Sequence, residues 1–182
     1  MRRKIIRALL TRFKQQKQKA NDNSLKHCLD VAHHMLNKTK YCFLVIHGEN
    51  GWSSARLVEP IIEIGEDNNF TIWIGTHRDL RKTEEVWANP KVTITIENAR
   101  EGANLVIYGN AFVETNLTIK KQYWKGAWRM FFPTGPKSEE YVAIRIKPSK
   151  MEIVSFSKNI TPEPFGLKSV VLVNRQDKWS LG

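Results

Sequence analysis

The sequence has 182 residues, 41% hydrophobic and 26% charged, a balance typical of a single globular domain rather than of a disordered or fibrous chain. No apolar run approaches the roughly 20 residues that a membrane-spanning helix needs, so we expect no transmembrane segment. The two cysteines, Cys28 and Cys42, are too few for a disulfide framework and lack the paired spacing of a zinc site, which favours a reducing compartment such as the cytoplasm.

The net charge of +11 is concentrated in the first residues of the sequence. Of the 29 Lys and Arg residues, eight lie within residues 1–19, which contain no acid. The remaining 21 stand against 18 acidic residues, so the rest of the chain carries only +3. The basicity therefore belongs to a tail and not to the body of the protein.

Within this tail, apolar residues recur at helical spacing and predict a cationic amphipathic helix. The residues are Ile5, Ile6, Leu9, Leu10 and Phe13. Three roles stay open: contact with nucleic acid or an anionic membrane, organelle targeting, or packing against the body or a partner subunit. We expect residues 1–23 to form a basic extension with a linker and residues 24–182 to form one domain.

The body alternates between helical and strand periodicity. A first helix is predicted from an N-cap at Ser24 to about Asn37, and its histidines lack the acidic or cysteine companions of a metal site. Strands are predicted at 41–47, 52–64, 70–75, 92–97, 105–115, 141–146 and 151–156, with helices at 79–88 and 117–130. Six to seven hairpin-linked strands with short helices predict a mainly β, antiparallel barrel rather than a doubly wound parallel sheet.

The most informative stretch is the strand, turn and helix over residues 72–82. Arg81 and Lys82 lie in the first helical turn, where the helix dipole disfavours cations. Either they bind an external anion such as a phosphate, or Arg81 pairs with Glu85 one turn later while Asp79 caps the helix. Arg56 lies among apolar residues of a strand, and it either joins this site or lies on the solvent face.

Several motifs in a fixed order support a resemblance to a known family. They are Ser54-Ala55-Arg56-Leu57, Thr76 followed by Arg81-Lys82, Trp87-Ala88-Asn89-Pro90, Val106-Ile107-Tyr108-Gly109, Phe132-Pro133-Thr134-Gly135-Pro136 and Tyr141-Val142-Ala143-Ile144. From about residue 24 to 156 the chain resembles the FMN-binding split barrel of the pyridoxamine 5'-phosphate oxidase superfamily. It is most similar to the general stress protein branch.

The resemblance implies a homodimer with one FMN in each of two clefts at the interface. It also implies roles for individual residues: phosphate binding by Arg56, Arg81 and Lys82, lining of the flavin by Leu57, Ile74, Gly75 and Thr76, and covering of the cleft from the partner subunit by Trp124 or Trp128.

The sequence also departs from the family pattern. Leu80 stands where family members often place Ser or Asn before the Arg-Lys pair, and residues 173–177 lack the Arg-x-His element of true pyridoxamine 5'-phosphate oxidases. We therefore expect a stress-related, FMN-dependent oxidoreductase that acts on an unidentified small substrate, not on vitamin B6. No catalytic acid or base is identified. The alternatives are a flavin-binding or sensing module without turnover, and a nucleic-acid or anionic-membrane binder that acts through residues 1–19.

Overall fold

The computed structural model describes residues 6–12, 15, 21–48, 51–162 and 168–182. Besides the helical residues 6–12, three α-helices accompany a sheet of nine strands. The helices are α1 (Leu25–Lys38), α2 (Arg81–Ala88) and α3 (Leu117–Gln122). The strands are β1 (Cys42–His47), β2 (Ser53–Val58), β3 (Ile61–Ile64), β4 (Phe70–His77), β5 (Lys91–Asn98), β6 (Ala103–Glu114), β7 (Tyr141–Ser155), β8 (Val170–Arg175) and β9 (Lys178–Leu181).

The long strand β7 organises the sheet because it pairs with different strands along its two halves. The order is β2-β1-β5-β6-β7-β4-β3, and all pairs are antiparallel. The first half of β7 pairs with β4, whereas the second half pairs with β8, which in turn pairs with β9. The predicted mainly antiparallel β fold is confirmed.

The core lies between α1 and the inner faces of the strands. Ser24 caps α1 by accepting a hydrogen bond from the amide of His27, as the sequence predicts. One face of α1 is buried against apolar side chains that alternate along the strands, such as Leu44, Ile94 and Ile107. Burial of this continuous apolar set is what stabilises the barrel.

Four predicted elements differ from the structure because of local breaks or bulges. The strand expected at 52–64 is divided into β2 and β3 at Pro60, since proline cannot donate to the ladder. The helix expected at 117–130 ends at Gln122, and a separate 3-10 helix follows at Gly126–Met130. The strands expected at 141–146 and 151–156 are one strand, β7, because a register shift at Gly109 accommodates Pro148.

The sequence interpretation also missed β8 and β9, so its count of six to seven strands was too low. The β8–β9 hairpin turns at Gln176 and Asp177, which both adopt positive φ. These residue types do not give the strong Asn-Gly or Asp-Gly signal of a two-residue turn, and this explains the omission.

Residues 6–12 are helical and exposed along their whole length. The predictions for Ile5, Phe13 and most of the basic tail lie outside the described residues. Among the described residues, none of the helices is both long and apolar enough to cross a membrane.

Candidate functional site

Helix α2 begins directly after β4 and is tied to it by a side chain. The buried Thr83 hydroxyl donates to the carbonyl of His77 at 3.0 Å. Leu80 occupies the N-cap position and supplies no side-chain acceptor. The Asp79 cap that the sequence left open is not found, because Leu80 is the N-cap residue and no side chain caps this end; the Asp79 amide donates to His77 Nδ1 at 3.1 Å. The first turn of α2 therefore carries a positive partial charge that no side chain caps.

Glu85, one turn into α2, forms a charged hydrogen-bond cluster with β2. Arg56 Nη1 lies 2.8 Å from Glu85 Oε2 and 2.9 Å from Ser54 Oγ, and the Ser54 hydroxyl donates to the same carboxylate oxygen at 2.9 Å. Arg81 Nε lies 3.3 Å from the other oxygen, Oε1. The ion pair between Arg81 and Glu85 that the sequence left open is therefore present, and Arg56 shares the same partner.

The cluster keeps the Glu85 carboxylate ionised although its side chain is only 12% exposed. Burial opposes ionisation, but hydrogen bonds from Arg56 and Ser54 and the charges of Arg56 and Arg81 outweigh it and lower the pKa of Glu85. Glu85 thus neutralises one of the cations gathered here and holds the Arg56 side chain in place.

The Arg56 guanidinium is not fully satisfied by this arrangement. Its second terminal nitrogen, Nη2, is buried and has no hydrogen-bond partner among the residues that the structure describes. A buried donor without an acceptor costs on the order of 1–3 kcal/mol and more when it is charged, so such a group marks a place where an acceptor is missing.

Lys82 lies close enough to Arg56 to be repelled by it. Burial, and secondly the positive charge of Arg56, lower the pKa of the Lys82 ammonium group. Within the described part of the chain, this ammonium makes no salt bridge or hydrogen bond. Arg56 and Arg81 therefore share the Glu85 carboxylate, while Lys82 has no ion pair among the described residues. The cations at the start of α2 thus outnumber the carboxylate that pairs with them, although Glu84 also lies in this turn.

A cleft of about 740 Å³ gives access to one side of this cluster. Arg81, Glu85 and Ser54 line it, together with Trp52 and the imidazole of His47. Glu84 of α2 also lines the cleft, whereas Arg56 and Lys82 do not, so the cleft reaches the cluster from the side of Arg81 and Glu85. The structure brings Arg56, Arg81 and Lys82 together, as the sequence interpretation required.

The other predicted site residues lie at different places. Leu57 follows Arg56 on β2, but its side chain is exposed on the opposite face of the sheet, where it lines a second cleft of about 730 Å³. The Ile74 side chain is in the core. Thr76 is buried, and its hydroxyl has no hydrogen-bond partner among the described residues. Only the backbone of Ile74 is therefore available to a ligand, whereas Thr76 retains an unused hydroxyl.

Trp128, in the 3-10 helix, lies against Gly75 of its own chain. A side chain at Gly75 would overlap the indole six-membered ring, with Cε3 only 2.9 Å from a Cβ atom. The indole belongs to an aromatic cluster with Trp124, Phe132 and Tyr141. Whether Trp124 or Trp128 covers a cleft of the partner subunit stays a prediction, but in the single chain Trp128 occupies the outer face of β4.

The sequence interpretation missed the connection from Glu85 to Arg56 and the part that Ser54 plays in it. Ser54 lies two residues before Arg56 and hence on the same face of β2, a periodicity that could have indicated the pairing. Glu85 was considered only as a partner of Arg81. Its contact with β2 depends on how α2 packs, which local sequence spacing does not determine.

The comparisons with known proteins agree with this architecture. The family model described as "Pyridoxamine 5'-phosphate oxidase like" matches residues 29–169. No curated protein matches the sequence.

Several solved structures share the fold at low sequence identity. A protein related to general stress protein 26 from Clostridium acetobutylicum is 16% identical with a TM-score of 0.64, covering 80% of this chain and 93% of that one. General stress protein 26 from Bacillus anthracis is 19% identical with a TM-score of 0.60, covering 70% and 94%. A pyridoxamine 5'-phosphate oxidase-related, FMN binding protein from Nostoc punctiforme is 14% identical with a TM-score of 0.65, covering 84% and 94%.

Proposed function

Because the chain belongs to the pyridoxamine 5'-phosphate oxidase like family, we propose that it binds FMN and acts as a flavin-dependent oxidoreductase on a small substrate. The observation that carries this proposal concerns two neighbouring cations. Among the described residues, neither Arg56 Nη2 nor the Lys82 ammonium has a hydrogen-bond partner. Both are donors for which a dianionic phosphate is the matching acceptor.

The residues at the start of α2 fit the phosphate of FMN in charge and in donor chemistry. Arg56 supplies a buried donor, the half-buried Lys82 supplies a second one, Arg81 adds a more exposed positive charge, and the uncapped turn of α2 favours an anion. Glu85 fixes the Arg56 side chain before binding, so less side-chain entropy is lost when the phosphate arrives. Leu80 adds no hydroxyl ligand, so Arg56 and Lys82 carry most of the interaction.

The flavin ring would lie near the β4 backbone at Ile74 and Thr76, beside the Trp128 indole that covers Gly75. Leu57 lies at the second cleft and would contact a flavin only across the chain pair proposed below. Bound FMN would supply the electron-transfer chemistry. The protein would bind the phosphate, orient the ring and exclude water. The unused Thr76 hydroxyl is a hydrogen-bonding group available to a ligand on this strand.

The proposal includes pairing of two chains, with FMN between them. Support comes from exposed large apolar side chains on the outer face of the sheet, including Phe43 and Leu57, which face each other across β1 and β2. A second chain placed here would cover both residues and close the cleft that Leu57 lines. We also place the protein in the cytoplasm, in keeping with two free, buried cysteines.

The direct test is the identity of the ligand that co-purifies with the full chain. We expect a yellow protein whose released ligand has the mass of FMN, and loss of that ligand in the variant Arg81→Ala/Lys82→Ala. The matched control is Arg175→Ala/Lys178→Ala, which removes two exposed cations from the β8–β9 hairpin and should retain FMN. A colourless wild-type protein that does not take up added FMN would contradict the proposal.

Addition of NAD(P)H then separates an oxidoreductase from a binding module without turnover. Loss of the flavin absorbance, with its return in the presence of an acceptor, supports the enzyme. A flavin absorbance that neither NADH nor NADPH changes would leave the FMN site in place but overturn the oxidoreductase assignment.

A further inference from the structure

Residues 6–12 form a helical stretch with a contiguous apolar face that nothing covers in the described part of the chain. Ile6, Leu9 and Leu10 are 55%, 61% and 52% exposed. Their spacing of i, i+3 and i+4 places all three on one side of a helix. Large apolar side chains grouped on an exposed face mark a surface that interacts with something else.

Cations flank this apolar face. At about 100° per residue, Arg7 and Arg12 fall on either side of the stripe formed by Ile6, Leu9 and Leu10. The whole segment 1–19 holds eight Lys or Arg residues and no acid, whereas the rest of the chain is nearly neutral. A partner for this segment must therefore be anionic and must also accept apolar side chains.

The segment lies outside the part of the chain that the family accounts for. The family model matches residues 29–169, and the FMN site proposed above uses none of residues 1–23. The chain is fixed to the body just after the segment. The Asn21 side chain donates to the carbonyl of Thr161 at 2.7 Å, and the Asp22 amide donates to the carbonyl of Asn159 at 3.1 Å. The segment is thus a tethered addition to a complete barrel.

We propose that residues 1–19 bind the surface of an anionic lipid bilayer, with Ile6, Leu9 and Leu10 inserted among the acyl chains and the basic residues against the headgroups. An interfacial helix combines such an apolar stripe with flanking Lys and Arg residues, whose long side chains reach up to the phosphate level. Nucleic acid fits less well, because its phosphates attract the cations but offer no apolar surface for the three aliphatic side chains. This inference is independent of the FMN proposal.

The test measures binding of the full-length protein to two kinds of vesicle, phosphatidylcholine alone and phosphatidylcholine mixed with phosphatidylserine. Co-sedimentation should show binding to the anionic vesicles, weak binding to the neutral ones, and a decline with added salt. The variant Arg7→Gln/Arg12→Gln should bind the anionic vesicles less tightly by about fivefold for each charge removed. The variant Leu9→Gln/Leu10→Gln keeps every charge and should lower binding at least about tenfold.

A matched control is Leu181→Gln, which removes an exposed leucine from the body and should bind as the wild type does. Retained FMN content, or an unchanged unfolding midpoint, shows that each variant is folded. Three results would overturn the proposal: no preference for anionic vesicles, binding unaffected by Leu9→Gln/Leu10→Gln, or tight binding to double-stranded DNA that depends on the arginines alone. A change of oligomeric state in Leu9→Gln/Leu10→Gln without vesicle binding by the wild type would assign the face to a second copy of the chain.

Discussion

Two regions of the molecule hold fully or partly buried cations, and these cations differ in whether the fold gives them a partner. Lys120, in α3, is 6% exposed, and its ammonium donates to the carbonyl of Ser138 at 2.7 Å. It also lies 5.8 Å from the centre of the Tyr141 ring, whose hydroxyl donates to the backbone of Tyr123. At α2, by contrast, Arg56 keeps a buried nitrogen without an acceptor and Lys82 has no polar partner among the described residues.

This difference between the two sites is why we propose a ligand at α2 and not at Lys120. Burial lowers the pKa of both lysines, so burial alone does not distinguish a binding group from a structural one. What distinguishes them is whether the fold supplies an acceptor. Lys120 completes the packing of α3 against β7, whereas the donors at α2 have no acceptor within the described chain, which is why we propose an anion there.

The largest effect is expected from Arg56→Met. Without Arg56, the Glu85 carboxylate stays buried with only Ser54 and the exposed Arg81 as partners, and we expect the free energy of unfolding to fall by about 2–4 kcal/mol. FMN affinity should fall as well. Urea unfolding of the FMN-free protein measures the first effect, and fluorescence titration with FMN measures the second.

The double variant Arg56→Met/Glu85→Gln separates these two roles. It removes both charges of the pair, so most of the stability should return while FMN binding stays weak. Recovery of FMN affinity together with stability would contradict the assignment of Arg56 to the phosphate.

Only part of the contrast between α2 and Lys120 could be predicted from the sequence. The positions of Arg56, Arg81 and Lys82 could be proposed because their motif and helix-terminal location are local features. The balance of charge around them depends on Glu85 reaching β2, a tertiary contact. Likewise nothing in the sequence near Lys120 indicates that the carbonyl of Ser138 will lie beside it.

In the fold, too, local features could be predicted from the sequence and contacts between distant residues could not. Strong periodicity and the Ser24 cap predicted α1 and the antiparallel sheet, because these patterns act over a few residues. The errors arose where pairing between distant strands decides the outcome. Pro148 looks like a strand end until the register shift opposite Gly109 is known, and the short β9 is fixed by pairing with β8 and by burial of Trp179 against Phe70.

Gly75→Ala tests how tightly the aromatic cluster covers β4. The added Cβ would overlap the Trp128 indole, and we expect a loss of about 1–3 kcal/mol in the free energy of unfolding from overpacking. In a protein that already carries Trp128→Ala, Gly75→Ala should cause almost no further loss in the free energy of unfolding. Equal costs of Gly75→Ala in the presence and absence of the indole would show that Trp128 does not lie there in solution.

The pH dependence of stability tests the charge state of Glu85. Because its folded pKa is below the ordinary value of 4.5, its contribution is present above that value and is lost as the pH falls through the folded pKa. The difference in unfolding free energy between wild type and Glu85→Gln should therefore shrink as the pH is lowered from neutral through this range. A difference that does not change with pH would mean that Glu85 is not selectively ionised in the folded state.

Arg81→Ala should have the smallest effect on stability. Its side chain is 73% exposed, and an exposed i,i+4 ion pair contributes about 0.3–0.5 kcal/mol. Chemical denaturation should detect little change in the unfolding midpoint. A loss as large as that from Arg56→Met would show that Glu85 depends on Arg81 rather than on β2.

FMN titration of Lys82→Met and Lys120→Met compares the half-buried Lys82 with the buried Lys120 most directly. We expect Lys82→Met to weaken FMN binding by about 1.5–3 kcal/mol, the scale of one charge-assisted hydrogen bond, without destabilising the FMN-free protein. Lys120→Met should lower the unfolding free energy and leave FMN affinity unchanged. If Lys82→Met binds FMN as tightly as the wild type does, the positive surplus at α2 is not the phosphate site.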